Sequence, residues 1–163
     1  MTVTTTASAD TTANGCAPAD RVTKSLLGYG ILAGPFYVTV SLAQALTRQG
    51  FDLTRHSWSL LSNGGLGWIQ VTNFVLTGLM VIAGAVGMRR AMAGGAGARW
   101  VPRLVGVYGT ALVAAGALRA DPALGFPAGT PDGHGTVSWH GAGHLIAGGI
   151  GFLCVIAACF VYA

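Results

Sequence analysis

Four long apolar stretches alternate with short polar connectors along this chain, at roughly Lys24–Leu46, Ile69–Met88, Arg103–Ala120 and Ser138–Ala163. A bilayer core is about 30 Å thick, and about 20 consecutive apolar residues are needed to cross it as a helix. From Ser25 to Met88 the only charged side chains are Arg48, Asp52 and Arg55, all in one connector. The fourth stretch carries no charge beyond its histidines. The pattern predicts an all-α integral membrane bundle with four transmembrane helices.

Local signals refine each element. Residues 1–20, rich in Thr and Ala and without periodicity, read as a disordered tail, which leaves 21–163 as one multi-pass transmembrane domain. No basic-then-apolar leader precedes the first run, so that helix itself would act as the targeting element. Gly34–Pro35 falls at mid-depth, where the lost backbone hydrogen bond predicts a kink. The segment Thr47–Trp68 reads as a loop with turns at 62–65, and 93–98 as a short flexible connector. The third run is the shortest: Leu104–Leu118 covers about 22 Å at 1.5 Å per residue, so Arg103 and Arg119 would snorkel to opposite surfaces. The chain closes on Phe160–Ala163 with no basic flank, an ending that reads as a fragment of a longer bundle.

Charge then sets an orientation. Six basic residues (Arg21, Lys24, Arg89, Arg90, Arg99, Arg103) flank one side of the spans and three (Arg48, Arg55, Arg119) the other. The positive-inside rule places the N-terminus in the cytoplasm of a cell membrane and the 47–68 and 120–138 loops outside. Trp58, Trp68 and Trp139 fall at the outer boundary and Trp100 at the inner, as interfacial anchors.

Composition narrows the function classes. Charged residues are 9% of the chain and there is no glutamate, so the net charge of +4 is no nucleic-acid footprint. Cys16, Cys154 and Cys159 suggest no disulfide framework. Cys154 and Cys159 point to different faces of one helix and read as packing residues. Small residues recur at Gly143, Ala147 and Gly151, at Gly84 and Gly87, and at Gly106, Gly109 and Gly116. In lipid, close backbone approach drives helix association, so these predict a compact bundle and allow helix–helix self-association. The partner this composition implies is the lipid bilayer.

Candidate chemistry gathers on the outer side. His56, His134, His140 and His144 share it with Asp52, Asp121 and Asp132. His140 and His144, four apart in H-G-A-G-H, fall on one helical face and could share a zinc ion, with His56, His134 or Asp121 as a further ligand. Asp121 is the candidate catalytic base. The competing reading is structural: histidines that latch loops, without the Glu of an H-E-x-x-H protease. Haem ligation is disfavoured because the first three runs hold no histidine. Ion-coupled transport is disfavoured because no carboxylate or basic group lies within the spans. The intramembrane polar residues are Ser41, Gln44, Thr72, Asn73 and Thr77, with Asn73 placed to hydrogen-bond across helices. Loop 120–138 is turn-rich, and its Leu124 and Phe126 are expected to dip into the outer interface.

The stretches R-H-S-W-S-L-L-S-N-G-G-L-G-W-I-Q-V-T-N-F-V-L-T-G (55–78), D-P-A-L-G-F-P-A-G-T-P (121–131) and S-W-H-G-A-G-H (138–144) resemble the bacterial membrane family called domain of unknown function 998. The resemblance implies six helices, two more than this chain's four runs supply, and singles out His56, Ser57, Asn73, Asp121, Phe126, Pro127, His140 and His144. It implies no activity. The function expected is a multi-pass membrane protein with an outer His/Asp-rich cluster; the alternative is a metal-dependent hydrolase at the outer leaflet.

Overall fold

The computed structural model describes residues 18–162. Among them lie four α-helices: α1 (Pro18–Thr47), α2 (Gly67–Ala91), α3 (Gly95–Ala117) and α4 (Trp139–Tyr162). A short 3₁₀ turn, η1 (Trp58–Ser62), interrupts the first long loop. The expected tail reaches residue 20, but Pro18–Asp20 already form the first turn of α1. Proline suits such a start because its missing N–H would have no helical partner there. Residues 1–17 of that tail, Cys16 among them, lie outside the described residues. Pro35 sits inside α1 without ending it.

Three helices, α1, α2 and α4, are long and apolar enough to cross a membrane. α3 starts at Gly95, so most of the expected connector 93–98 is helical. Gly94 and Gly95 take φ of +73° and +75°, which reverses the chain within a few residues of Ala91. The added N-terminal turns of α3 carry Arg99 and lead into Arg103, and the two guanidiniums lie 5.8 and 5.5 Å from the Trp100 ring centroid.

Packing runs in chain order, α1 on α2, α2 on α3, α3 on α4. Glycines set the closeness of each pair. Gly30 meets Gly84 between α1 and α2, Gly78 meets Gly109 between α2 and α3, and Gly151 meets Ala111 between α3 and α4. Gly84, Gly109 and Gly151 belong to the small-residue pattern of the sequence; their partners Gly30 and Gly78 do not. Large apolar side chains such as Ile31, Leu32, Ile146, Leu153 and Phe160 remain exposed on the outward faces, as lipid contact requires.

A second, smaller core closes one end of the bundle. Leu60, Leu61 and Phe126 are buried there with Ala45, flanked by Phe51 and Trp58. Phe126 is therefore interior to this cap, 1% exposed, and does not dip into the interface as expected. Its ring meets Phe51 edge-on at 5.1 Å and His56 at 5.6 Å. Arg48 stands 4.9 Å over the same ring and donates to the carbonyls of Leu61 and Asn63 at 2.5 and 2.6 Å. Partial burial draws that guanidinium below its ordinary pKa. Loop 48–66 is thus an ordered lid, and Leu60, Leu61 and Phe126 of its core come from segments a hydropathy reading assigns to loops.

Candidate functional site

The polar residues of the capped end divide into latches and lining. Asp121 is the first latch. Its Oδ2 accepts from Ser138 N at 2.7 Å and its Oδ1 from Ser138 Oγ at 2.5 Å. Ser138 Oγ in turn accepts from Gly141 N at 3.1 Å, which makes Ser138 the N-cap of α4. The carboxylate beside the helix N-terminus also complements its dipole. Gly141 has no room for a side chain because a Cβ there would run into the Asp121 carboxyl. This geometry gives Asp121 a capping task, with both oxygens engaged.

His56 is the second latch. Its Nδ1 accepts from Asp52 N at 2.9 Å, so Nε2 carries the proton and donates to Leu124 O at 3.0 Å. That bond joins the lid to the 120–138 loop. Leu124 takes a left-handed φ of +57°, a conformation that turns its carbonyl toward His56. Asp52 accepts from Thr54 Oγ1 and Thr54 N, and these bonds hold its carboxyl below the usual range.

The other two histidines separate from these and from each other. His140 is exposed and stacks on Trp139 with ring centroids 3.5 Å apart. His134 is exposed in the 120–138 loop. His144 is buried; its Nδ1 lies 2.8 Å from Ala115 O on α3 and its ring meets Phe74 edge-on. A carbonyl only accepts, so Nδ1 is the donor there. The spacing of four does place both on one side of α4. One turn of about 6 Å nonetheless carries His140 past the end of α3 while His144 stays level with it. Among the described residues no group of three His, Cys, Asp or Glu could hold a metal ion. The expected zinc set of His56, His134, His140 and His144 therefore finds no support in the geometry. Cys154 and Cys159 are free thiols.

Between α1 and α2 a buried amide network joins the halves of the two helices nearer the lid. Asn73 donates to Tyr37 O at 3.1 Å and Ser41 Oγ at 3.1 Å, as the sequence suggests for this residue. Its centre, however, is Gln70, fully buried, whose Oε1 accepts from Gln44 Nε2 at 2.7 Å. Gln70 Nε2 donates to Ser41 Oγ at 3.1 Å. The sequence signal for Gln70 was available, since it is a polar residue inside the second apolar run. Thr72, grouped with the intramembrane polar residues, is exposed.

A cavity of about 810 Å³ opens between α1 and α4, with α2 and α3 forming its floor. Ligand pockets typically span about 300–1,000 Å³. Gly30, Gly34, Tyr37 and Val38 line it from α1, and His144, Leu145, Gly148 and Phe152 from α4. Phe74, Thr77 and Val81 of α2 face Tyr108, Ala111 and Ala115 of α3 across the floor. Ser57, Trp58 and Ser59 of the lid roof one end of it, and Trp58 packs on Tyr37 with ring centroids 5.9 Å apart. Trp58 is therefore a partly buried wall of the cavity. Val38, Leu145 and Phe152 line the cavity yet remain exposed, which shows that it opens sideways. Among the described residues no Asp, Glu, Lys or Arg lines it. Its polar groups are hydroxyls, the Trp58 indole and the His144 imidazole, all but Tyr108 toward the roofed end.

Residues 31–163 match the model of a family described as "Protein of unknown function (DUF998)". No curated protein and no solved structure matches the chain.

Proposed function

This chain belongs to the DUF998 family, and we propose that it is a multi-pass membrane protein that binds a lipid-like amphiphile in the side-open cavity between α1 and α4. The observation that carries this reading is the cavity itself: apolar along its length, open toward the lipid-facing flank and roofed by an ordered lid. In that reading α3 crosses the bilayer with the other helices, because it is packed between α2 and α4 and its 23 residues reach about 34 Å. The six-to-three distribution of basic residues supports a cytoplasmic N-terminus in the cell membrane, with the lid outside.

His56 and Asp121 serve here as fasteners of the lid and of α4, and the outer His/Asp residues work by shaping the roof. The metal-dependent hydrolase would need imidazole nitrogens converging within about 2.0–2.1 Å of one ion. No observation favours it.

Trp58 tests the reading, since it is the tryptophan that lines the cavity. A variant keeping Trp58 alone (Trp68→Phe, Trp100→Phe, Trp139→Phe) would be placed in nanodiscs with phosphatidylcholine brominated along the acyl chain. Strong quenching of Trp58 is expected, and fluorescence unaffected by the brominated chains would remove the proposal.

A further inference from the structure

We infer that the head of the bound amphiphile is uncharged and donates a hydrogen bond, as an alcohol does, to Nε2 of His144. The inference rests on the cavity reading above and goes beyond it by fixing the chemical class of the head. Three observations converge on His144. It is 7% exposed, so its remaining contact surface is the cavity that it lines. Its Nδ1–H is committed to Ala115 O at 2.8 Å, which fixes the tautomer of the neutral ring. Nε2 then carries a lone pair, and no hydrogen bond to it is formed among the described residues. Nε2 is not among the buried atoms that lack a partner, so it keeps surface open to the cavity, where a ligand O–H can reach it and add one hydrogen bond.

The rest of the lining decides the charge of that head. A carboxylate or phosphate moved from water into this chamber would need a cation, and no lysine or arginine lines it. The nearest candidate on the lid, Arg48, spends its guanidinium on the carbonyls of Leu61 and Asn63 and on the Phe126 ring. A hydrogen-bonding ammonium head would need a carboxylate, and among the described residues none lines the cavity. What the outer end offers is hydroxyl groups from Tyr37, Ser57 and Thr77 beside the imidazole. Thr77 already donates to Asn73 Oδ1, at 3.3 Å, and so can itself accept. This set suits a neutral hydroxylated head, with the chain running down toward Gly30, Met88 and Val155.

Three probes that share a 16-carbon chain and carry bromine at the head end test the inference on the Trp58-only protein in detergent: 2-bromohexadecan-1-ol, 2-bromohexadecanoate and 1-bromohexadecane. The alcohol is expected to quench Trp58 at a concentration about 2- to 12-fold lower than the bromoalkane, the range one neutral hydrogen bond supplies. His144→Leu should erase that advantage and leave the bromoalkane unchanged. His144→Gln, which keeps a donor for Ala115 O and an acceptor for the head, should retain it. Equal quenching by alcohol and bromoalkane would overturn the head assignment while leaving the cavity reading intact, and so would tighter binding of the carboxylate. If no probe quenched Trp58, the cavity reading itself would fall and this inference with it. The comparison of the three probes on unchanged His144 is decisive even if the His144→Leu protein does not fold.

Discussion

Gly78 and Gly109 hold α2 and α3 backbone to backbone: a Cβ built on Gly78 falls 2.6 Å from Gly109 O, and one on Gly109 falls 2.8 Å from Gly78 O. No rotamer change can relieve such a contact, because the obstruction is main chain on both sides. Gly109→Ala is therefore expected to cost about 1–3 kcal/mol through forced separation of the helices. Gly106→Ala is the control, since its Cβ would meet Ala85 at an ordinary 3.8 Å. Unfolding of the two variants in mixed micelles checks the difference; equal stability would show that this pair is not a tight point of the bundle.

Asp121 holds the start of α4 through Ser138. Asp121→Asn keeps the shape but, with Oδ1 left facing Ser138 N, turns an amide N–H₂ toward Ser138 Oγ, which must then accept instead of donate. A loss of about 1 kcal/mol is expected, because two partly buried charge-assisted bonds become neutral ones. The Gly141 amide should exchange faster with deuterium in this variant. Ser138→Ala should reproduce the effect, and the double variant should add little beyond either, since the two residues act in one chain of bonds. Full additivity would dismiss the capping account.

Asp52 gives a pH signature to the lid. Hydrogen bonds from Thr54 Oγ1 and Thr54 N lower its folded pKa. A depressed carboxylate contributes stability that is present above its unfolded pKa and is lost as pH falls through the folded value. A carboxyl ¹³C titration should therefore show Asp52 titrating below an ordinary aspartate, with the midpoint moving upward in Thr54→Val. An unchanged midpoint in that variant would assign the shift to another cause.

The helices were legible because length and lack of charge are one-dimensional signals, and a bilayer demands both. α3 was the exception: its boundary depends on Gly94 and Gly95 reversing the chain and on Arg99 and Arg103 flanking Trp100, which hydropathy reads as an end. The lid was not legible. Leu60, Leu61 and Phe126 are separated along the chain, and only the fold shows that they share a core. Gln70 was overlooked for a related reason, since a search for buried charge passes over an uncharged amide that crosslinks two helices. His140 and His144 mark the limit of spacing arguments. Four residues fix a shared side of a helix, yet the end of the neighbouring helix decides that one is stacked on Trp139 and the other buried against Ala115. The cavity could not be read from the sequence at all, because it is the space left where α1 and α4 do not pack as the neighbouring pairs do.

Gly148 offers the most direct measurement of the central claim. It lines the cavity, and a Cβ built on it meets nothing within 4 Å, so a large side chain there enters open space without disturbing the helices. Gly148→Phe is made in the Trp58-only protein and placed in nanodiscs of chain-brominated phosphatidylcholine. The account predicts that quenching of Trp58 falls sharply while thermal stability is kept or raised. Quenching as strong as that of the protein with Gly148, in a variant that remains folded, would contradict it.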